Sequence, residues 1–242
     1  MKIVVIIPSR YGSTRFEGKP LARISGKPMI QCVYELAIRA EMVDQVVVAT
    51  DDERIYAAVT NFGGQAIMTA ADNRSGTDRV AEAAEKLRLP DNDVVVNIQG
   101  DQPLFHPSCI QEVAAPLIEN PDVQMSTLAF KIFNPKEITN PKDVKVTFDI
   151  LGNALYFSRS AIPFGREPGS VFDTYKHLGI YAYTRRFLDI FRSLPDGRLE
   201  NIEKLEQLRA LEYGHRIRVV VTDHDSPEVD IPDDIERIST KA

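Results

Sequence analysis

Short, continuous apolar runs alternate with amphipathic stretches over the first hundred residues. The runs "KIVVIIP", "QVVVAT" and "DVVVNIQ" are rich in β-branched residues, as in strands covered on both faces, and "QAIMT" is a shorter run of the same kind. Between them, "PMIQCVYELAIRA", "DDERIYAAVTNFGG" and "SGTDRVAEAAEKLR" place apolar residues three and four positions apart, which predicts helices. Strands that alternate with helices predict βαβ units, and hence an α/β fold with a doubly wound, mostly parallel sheet.

The pattern changes after about residue 120. Four strand-like segments follow, separated by loops rich in Pro and Gly: "STLAFKIF", "DVKVTFD", "ALYFSRS" and "KHLGIYAYT". Helical spacing returns in "RRFLDIFRSL" and in "NIEKLEQLRALEYG", which we predict to be one helix that ends at Gly214. A last strand, "RIRVVVT", and a terminal helix, "PDDIERIST", complete the chain. We therefore expect a single domain over residues 1–242, with a mixed, β-rich insertion at about 125–180.

Composition narrows the possible partners and the compartment. The 242 residues are 43% hydrophobic and 26% charged, with a net charge of -6, which argues against nucleic acid as the main partner. Apolar runs are too short to cross a bilayer, and the N-terminal run is too short for a signal peptide. The cysteines Cys32 and Cys109 lie far apart and form no metal-binding spacing. We expect a cytoplasmic protein that does not insert into membranes.

The loop after the first strand concentrates positive charge in an acidic chain. Its sequence is "SRYGSTRFEGKP", which contains the cations Arg10, Arg15 and Lys19 and the glycines Gly12 and Gly18. It matches neither the Walker A pattern nor the dinucleotide-binding glycine pattern. Ligands of open α/β sheets bind at the carboxyl ends of the strands, so these cations suit a polyphosphate there. A solvated basic loop is the alternative.

Two further loops follow predicted strands. In "NRSGTDR", Ser75, Gly76 and Thr77 stand at a helix start, where hydroxyls and free N–H groups favour an anion, although a plain helix cap is the alternative. In "NIQGDQPL", Asp101 directly follows a buried strand, and Asp230 in "SPEVDIPDDIE" supplies a second carboxylate. Magnesium takes one or two carboxylates together with phosphate oxygens and water, so this pair is a candidate Mg²⁺ site; a turn aspartate is the alternative reading of Asp101.

An ordered set of seven motifs, spread over essentially the whole chain, resembles the CMP-Kdo synthetases (3-deoxy-manno-octulosonate cytidylyltransferases). The motifs are "IIPSRYGSTRFEGKPL", "SGTDR", "NIQGDQPL", "ALYFSRSAIPF", "YKHLGIYAYT", "LEQLRALEYG" and "VDIPDDIE". The resemblance implies a nucleotidyltransferase fold whose inserted β region helps to form a homodimer. It also implies a Mg²⁺-dependent reaction in which the anomeric hydroxyl of a sugar acid attacks the α-phosphorus of CTP.

The resemblance also assigns roles to individual positions. The triphosphate would be held by Arg10, Gly12, Ser13, Arg15 and Lys19. The cytosine and a nearby phosphate would be surrounded by Ser75, Gly76, Thr77 and Arg79, with Gln99 between nucleotide and sugar. The metal ligands would be Asp101 and Asp230, which with Arg10 and Lys19 form the catalytic set. The sugar would contact Arg159, His177, Glu206 and Gln207, with Arg159 and His177 as candidates for its carboxylate.

Four positions depart from the family's usual pattern: Glu17, Asn73, Gln102 and Ile231. None is an implied phosphate or metal ligand, so the departures concern the sugar. "QGDQP" with "YKHLG" and "AYTRRF" resembles a subgroup that uses the 8-amino analogue of Kdo. Alternatives are a cytidylyltransferase for sialic acid or an alditol phosphate, and a non-catalytic nucleotide-binding regulatory module. Such a module would not need both Asp101 and Asp230, which favours an enzyme.

Overall fold

The computed structural model describes residues 1–12, 16–167 and 169–239 of the chain. The strands are β1 (Ile3–Ser9), β2 (Arg23–Ile24), β3 (Lys27–Pro28), β4 (Gln45–Thr50), β5 (Ala66–Met68), β6 (Val94–Asn97), β7 (Met125–Lys131), β8 (Lys145–Phe148), β9 (Ala154–Ser158), β10 (Tyr175–Thr184) and β11 (Arg218–Thr222). The helices are α1 (Met29–Ile38), α2 (Glu53–Asn61), α3 (Gly76–Lys86), α4 (Ser108–Glu119), α5 (Pro135–Thr139), α6 (Arg185–Ser193), α7 (Arg198–Glu203), α8 (Leu208–Glu212) and α9 (Asp233–Ser239).

The central sheet has the strand order β11-β7-β10-β6-β1-β4-β5. Strands β4 and β6 pair in parallel with β1, β5 pairs in parallel with β4, and β11 pairs in parallel with β7. Strand β10 runs antiparallel to both β6 and β7. The prediction of a mostly parallel α/β sheet is therefore confirmed.

Helices cover both faces of this sheet because β1 is apolar from Ile3 to Pro8. Alternate side chains of a strand point to opposite faces, and Val5 and Ile7 pack with α1, α2 and α4, whereas Val4 and Ile6 pack with α3 and α6. All seven residues of β1 are buried. The sheet is doubly wound, as predicted. Within the described residues, no helix is long and apolar enough to cross a membrane.

The chain reverses its direction of winding beside β1. It runs outward from β1 through α1, β4, α2 and β5, and then α3 returns it to β6 on the other side of β1. The loops that follow β1 and β6 therefore leave neighbouring strands in opposite directions, which opens a crevice at the carboxyl edge of the sheet. Both loops were singled out above for their chemistry.

The structure differs from the predicted elements in several places: β2, β3 and α5 were not predicted, and three further differences concern larger elements. Strands β7 and β10 of the β-rich region lie within the central sheet, and only β8 and β9 lie off its path. The prediction of one helix over residues 201–214 is wrong, because Lys204 adopts a left-handed conformation (φ 55°) that ends α7 before α8 begins. No element was predicted over residues 108–119, which form α4; the apolar spacing of Ile110, Val113 and Leu117 was the available signal.

Candidate active site

A cavity of about 930 Å³ opens at the carboxyl edge of the sheet. Its walls come from the loops after β1 and β6, the start of α3, β10, the turn between α7 and α8, and the segment between β11 and α9. Twelve of the predicted site residues line it: Arg10, Lys19, Ser75, Gly76, Arg79, Gln99, Asp101, Arg159, His177, Glu206, Gln207 and Asp230. The fold thus brings together in one cavity most of the site residues that were predicted from separate motifs.

Lys19 and Asp101 form an ion pair on the floor of the cavity. The ammonium of Lys19 donates to Oδ2 of Asp101 and, at 3.0 Å, to the carbonyl of Val229. The backbone N–H of Val229 donates to the carbonyl of Asp101 at 2.9 Å, and Val229 itself is fully buried. These contacts fix the loop after β6 against the segment that carries Asp230.

Three carboxylates meet at this point, those of Asp101, Glu228 and Asp230. The pKa of Glu228 is raised to about 8: desolvation by the surrounding protein contributes most, the negative charges of Asp101 and Asp230 add to it, and Lys19 opposes them. Oδ1 of Asp101 is buried and has no hydrogen-bond partner among the described residues. In the same part of the chain, no group of three His, Cys, Asp or Glu side chains is arranged to hold a metal ion by itself. The corner therefore holds three carboxyl groups, of which that of Asp101 is paired with Lys19.

The N-terminus of α3 faces the carboxylate of Glu206. Ser75 caps the helix, with its Oγ accepting from the N–H of Asp78 at 3.2 Å. Thr77 donates its hydroxyl to Glu206 at 2.7 Å and its N–H at 3.4 Å, and the Ser75 hydroxyl also bonds this carboxylate. Burial raises the pKa of Glu206, although these hydrogen bonds oppose the shift. The hydroxyls of Ser75 and Thr77, which were predicted to face the nucleotide, thus bond Glu206, which was predicted to contact the sugar. Thr77 does not line the cavity.

The guanidinium of Arg79 is held by other protein groups. It donates to Oδ2 of Asp51 at 2.9 Å and to Oγ1 of Thr69 at 2.5 Å, and Arg79 is only 4% exposed. These bonds tie α3 to the loops after β4 and β5. Arg79 reaches the cavity wall, but in this arrangement its donors hold the scaffold, and its predicted contact with the nucleotide stays a prediction.

His177 is neutral in this environment. Burial lowers the pKa of His177 to about 3. Thr127 donates its hydroxyl proton to the carbonyl of Ile180 at 2.8 Å, so the 2.9 Å contact between its Oγ1 and Nε2 of His177 requires that Nε2 carries the imidazole proton. His177 can therefore accept a hydrogen bond through Nδ1, and its predicted contact with the sugar stays a prediction.

Arg159 and Gln207 lie at the sugar side predicted for them. Arg159 donates to the carbonyls of Glu203 at 2.8 Å and Pro141 at 2.9 Å, so its charge is positioned by neutral acceptors and is not cancelled by a carboxylate there. Gln207 is 2% exposed, and its Nε2 has no partner among the described residues. Its amide is thus available for a ligand or a water molecule. Gln99 projects between the two sides, with Nε2 at 3.4 Å from Oδ1 of Asn97.

The basic loop is described only in part. Arg10 is exposed and lines the cavity, whereas Gly12 is exposed outside it, with no atom within 4 Å of where a Cβ would lie. Ser13 and Arg15, both predicted to bind the triphosphate, lie outside the described residues. The loop returns at Gly18, whose φ of +69° favours glycine and whose N–H donates to the carbonyl of Tyr11 at 3.0 Å.

Comparison with known proteins identifies the family. A family model described as cytidylyltransferase matches residues 4–217. The chain belongs to the cytidylyltransferase family. Among solved structures, a CMP:2-keto-3-deoxy-manno-octonic acid synthetase complexed with CTP superposes with a TM-score of 0.93 at 42% identity, over 100% of this chain and 98% of the other.

Two groups of curated cytidylyltransferases resemble the chain over nearly its whole length. A 3-deoxy-manno-octulosonate cytidylyltransferase of Desulfosudis oleivorans is 66% identical over 238 residues, which are 98% of this chain and 96% of the relative. An 8-amino-3,8-dideoxy-manno-octulosonate cytidylyltransferase of Shewanella amazonensis is 55% identical over 242 residues, 100% of this chain and 98% of the relative. The resemblance to CMP-Kdo synthetases is therefore confirmed, and both sugars occur among the relatives.

The sequence analysis of this cytidylyltransferase missed a carboxylate that lines the cavity. Glu228 stands two positions before Asp230 and was not considered, because nothing in "SPEVDIPDD" shows which carboxylates face a ligand. Gln102 was noted only as a departure, and it is fully buried beside Glu228. The signal available in the sequence was the alternation of acidic residues on either side of the apolar Val229.

Proposed function

We propose that this cytidylyltransferase couples CTP to a Kdo-type sugar acid and releases pyrophosphate. The observation that carries the proposal is the meeting of Lys19, Asp101 and Asp230 at the crevice beside β1, in a cavity of about 930 Å³ that has basic groups on its walls. That volume suits a nucleoside triphosphate and a sugar together. The relatives named above supply the two sugars considered, Kdo and its 8-amino analogue.

The reaction is an in-line displacement at phosphorus. The anomeric oxygen of the sugar forms a bond to the α-phosphorus of CTP, the bond to the β-phosphate oxygen breaks, and the hydroxyl proton leaves to solvent or a carboxylate. Both reactants are anionic, so charge neutralisation and placement matter more than covalent help. Arg10 and Lys19 line the cavity as cations for the phosphates.

The residues at the floor fit a magnesium ion. Asp101 and Asp230 supply two carboxylates, Oδ1 of Asp101 is without a partner among the described residues, and Mg²⁺ takes its other ligands from phosphate oxygens and water. When bound, the ion would polarise the attacking hydroxyl and offset charge on the α-phosphate. Lys19 holds the side chain of Asp101 in place for this role.

The sugar side is formed by Arg159, His177, Glu206 and Gln207, which line the same cavity. Arg159 is the candidate for the sugar carboxylate, since His177 is neutral. His177 and Glu206 offer acceptors, and Gln207 offers an unpaired amide donor, which together suit a polyhydroxylated ring.

We also propose that the protein acts as a homodimer in the cytoplasm, where CTP is made. An apolar surface around β8, β9 and the loop before β10 supports the dimer; its members are at least 45% exposed: Phe133, Ile150, Leu151, Leu155, Phe164, Val171 and Phe172. Leu155→Asp should convert the dimer to monomer in light scattering. A monomeric wild-type protein at micromolar concentration would contradict this.

The direct test is CTP-dependent pyrophosphate release by the purified protein with Kdo, 8-amino-Kdo and sialic acid in parallel. We expect a CMP-sugar from one or both of the first two and none from sialic acid. Turnover with sialic acid alone would favour the alternative cytidylyltransferase, and CTP binding without turnover of any sugar would favour a regulatory module.

A further inference from the structure

One carboxylate of the cavity has no role in the reaction described above. Glu228 is exposed to the cavity and lies on the segment between β11 and α9. The fully buried Val229 and its hydrogen bond to Asp101 fix the backbone at the next position. The side chain of Glu228 is therefore held at the cavity wall by its neighbour and is not on a free loop.

Gln102 contacts Glu228 from the protein interior. Gln102 is fully buried, and its Nε2 donates to the carbonyl of Leu178 and lies 3.4 Å from Oε1 of Glu228. A glutamate at position 102 would set a carboxylate against both the Leu178 carbonyl and Glu228, with no donor between them. The amide at 102 is thus what allows a carboxylate at 228.

The backbone of β10 leaves space for a ligand beside this carboxylate. The pairing of β10 with β7 shifts between His177 and Tyr181, and Gly179 lies within this irregularity with a φ of +63°. A Cβ added to Gly179 would lie 3.4 Å from Oε1 of Glu228 and 4.0 Å from Gln99. Gly179 therefore keeps open the space between Glu228 and the residue predicted to separate nucleotide from sugar.

Two lysines that line the cavity form ion pairs with carboxylates other than Glu228. Lys19 is paired with Asp101, and Lys176 is paired with Glu137 at 2.9 Å and Asp225 at 3.0 Å. Among the described residues, no cation forms an ion pair with Glu228. The oxygens of Glu228 at the cavity wall can therefore accept hydrogen bonds from a donor group of the substrate.

We propose that Glu228 accepts hydrogen bonds from an ammonium group of the sugar, so that the preferred substrate is an amino sugar acid. The proposal rests on the cytidylyltransferase function and specifies its sugar. An ammonium has only donors, which match a carboxylate, whereas a hydroxyl at the same carbon gains less from it. Gln102 acts as a positioning residue that orients Glu228.

The test is the ratio of kcat/KM for 8-amino-Kdo over Kdo, measured for the wild type, Glu228→Gln and the control Glu236→Gln. Glu236 lies on α9, is exposed and does not line the cavity, so its variant removes the same charge from the same segment. We expect Glu228→Gln to lower the ratio about 10- to 100-fold, mostly through KM for the amino sugar. Glu236→Gln should leave the ratio unchanged. The ratio is independent of how much of each variant is folded.

The outcomes separate this proposal from the function on which it rests. If the wild type turns over neither sugar, the proposed function fails. If it turns over both and Glu228→Gln loses activity equally with each, Glu228 serves the metal or the fold and the proposal is wrong. A parallel Mg²⁺ titration checks this, because loss of a metal ligand would move the Mg²⁺ midpoint with Kdo as well. An unchanged ratio, or a wild type that prefers Kdo, would also overturn the proposal.

Discussion

Asp101→Asn is the most informative single change, because it separates the chemical step from binding and folding. The substitution keeps the shape of the side chain and removes its charge. If Asp101 holds the catalytic metal, losing that ligand should cost about 4 kcal/mol at the transition state, or roughly a thousandfold in kcat. CTP should still bind, since Arg10 and Lys19 remain.

The same structure sets the cost to stability. Lys19 loses its ion pair with Asp101 but keeps the carbonyl of Val229 at 3.0 Å, and Glu228 lies near enough to interact with its charge. The ammonium is therefore not left without compensation. We expect the free energy of unfolding to fall by about 1–2 kcal/mol, less than the roughly 3–5 kcal/mol that follows when a fully buried pair is broken.

The measurements are pyrophosphate release, CTP titration by calorimetry and urea unfolding. Glu35→Gln is the control, because it breaks a lysine–carboxylate pair of the same kind with Lys27 on the surface. It should cost less than about 1 kcal/mol of stability and leave turnover unchanged. Near-normal kcat of Asp101→Asn in Mg²⁺ would refute the metal-ligand role, and a loss of CTP affinity as large as the loss of kcat would refute the separation of roles.

Four further predictions concern stability and nucleotide binding. The pKa of His177 is lowered to about 3, so the folded state excludes a proton that the unfolded state takes up below about pH 6.5. Between pH 7 and pH 5, the free energy of unfolding of the wild type should therefore fall by up to about 2 kcal/mol more than that of His177→Asn, as measured by urea unfolding. Arg79→Met should lower the free energy of unfolding by about 3 kcal/mol, and a second change, Asp51→Asn, should restore part of this loss. A loss of CTP affinity at unchanged stability would instead show that Arg79 contacts the nucleotide directly. Arg15→Ala should weaken CTP binding in calorimetry, and wild-type rates with ATP should be far below those with CTP.

The fold was predictable from sequence because its strands and helices carry strong local patterns. The continuous apolar run of β1 and the amphipathic spacing of α1 to α3 determine both the layers and their order. The break between α7 and α8 was not predictable in this way. Lys204 occurs in a segment with good helical spacing, and only the packing of Glu206 against the start of α3 distinguishes a broken helix from a continuous one.

The site was predictable as a set of residues but not as a set of contacts. The pairing of Lys19 with Asp101 joins residues 82 positions apart, and it depends on the change of winding direction beside β1. Arg79 was assigned to the nucleotide because its motif resembles one that surrounds it, yet Asp51 at the end of a neighbouring strand engages its guanidinium. Motif spacing does not reveal partners that are this far apart in the sequence, since nothing in the sequence distinguishes either partner from other polar residues.

The contacts of Gln102 change the interpretation of this residue that the sequence alone suggests. In the sequence, Gln102 stands out only as a departure from the family's usual pattern, and its neutral amide supplies no negative charge for a cation. In the structure, the amide of Gln102 lies 3.4 Å from Glu228 and donates to Leu178, so the neutral residue is what makes a carboxylate at 228 tolerable. The corner therefore keeps a carboxyl group at 228, on the segment that faces the cavity. Changing Gln102 to Glu should set two carboxylates against each other, so discrimination between the amino and hydroxy sugars depends on both positions together.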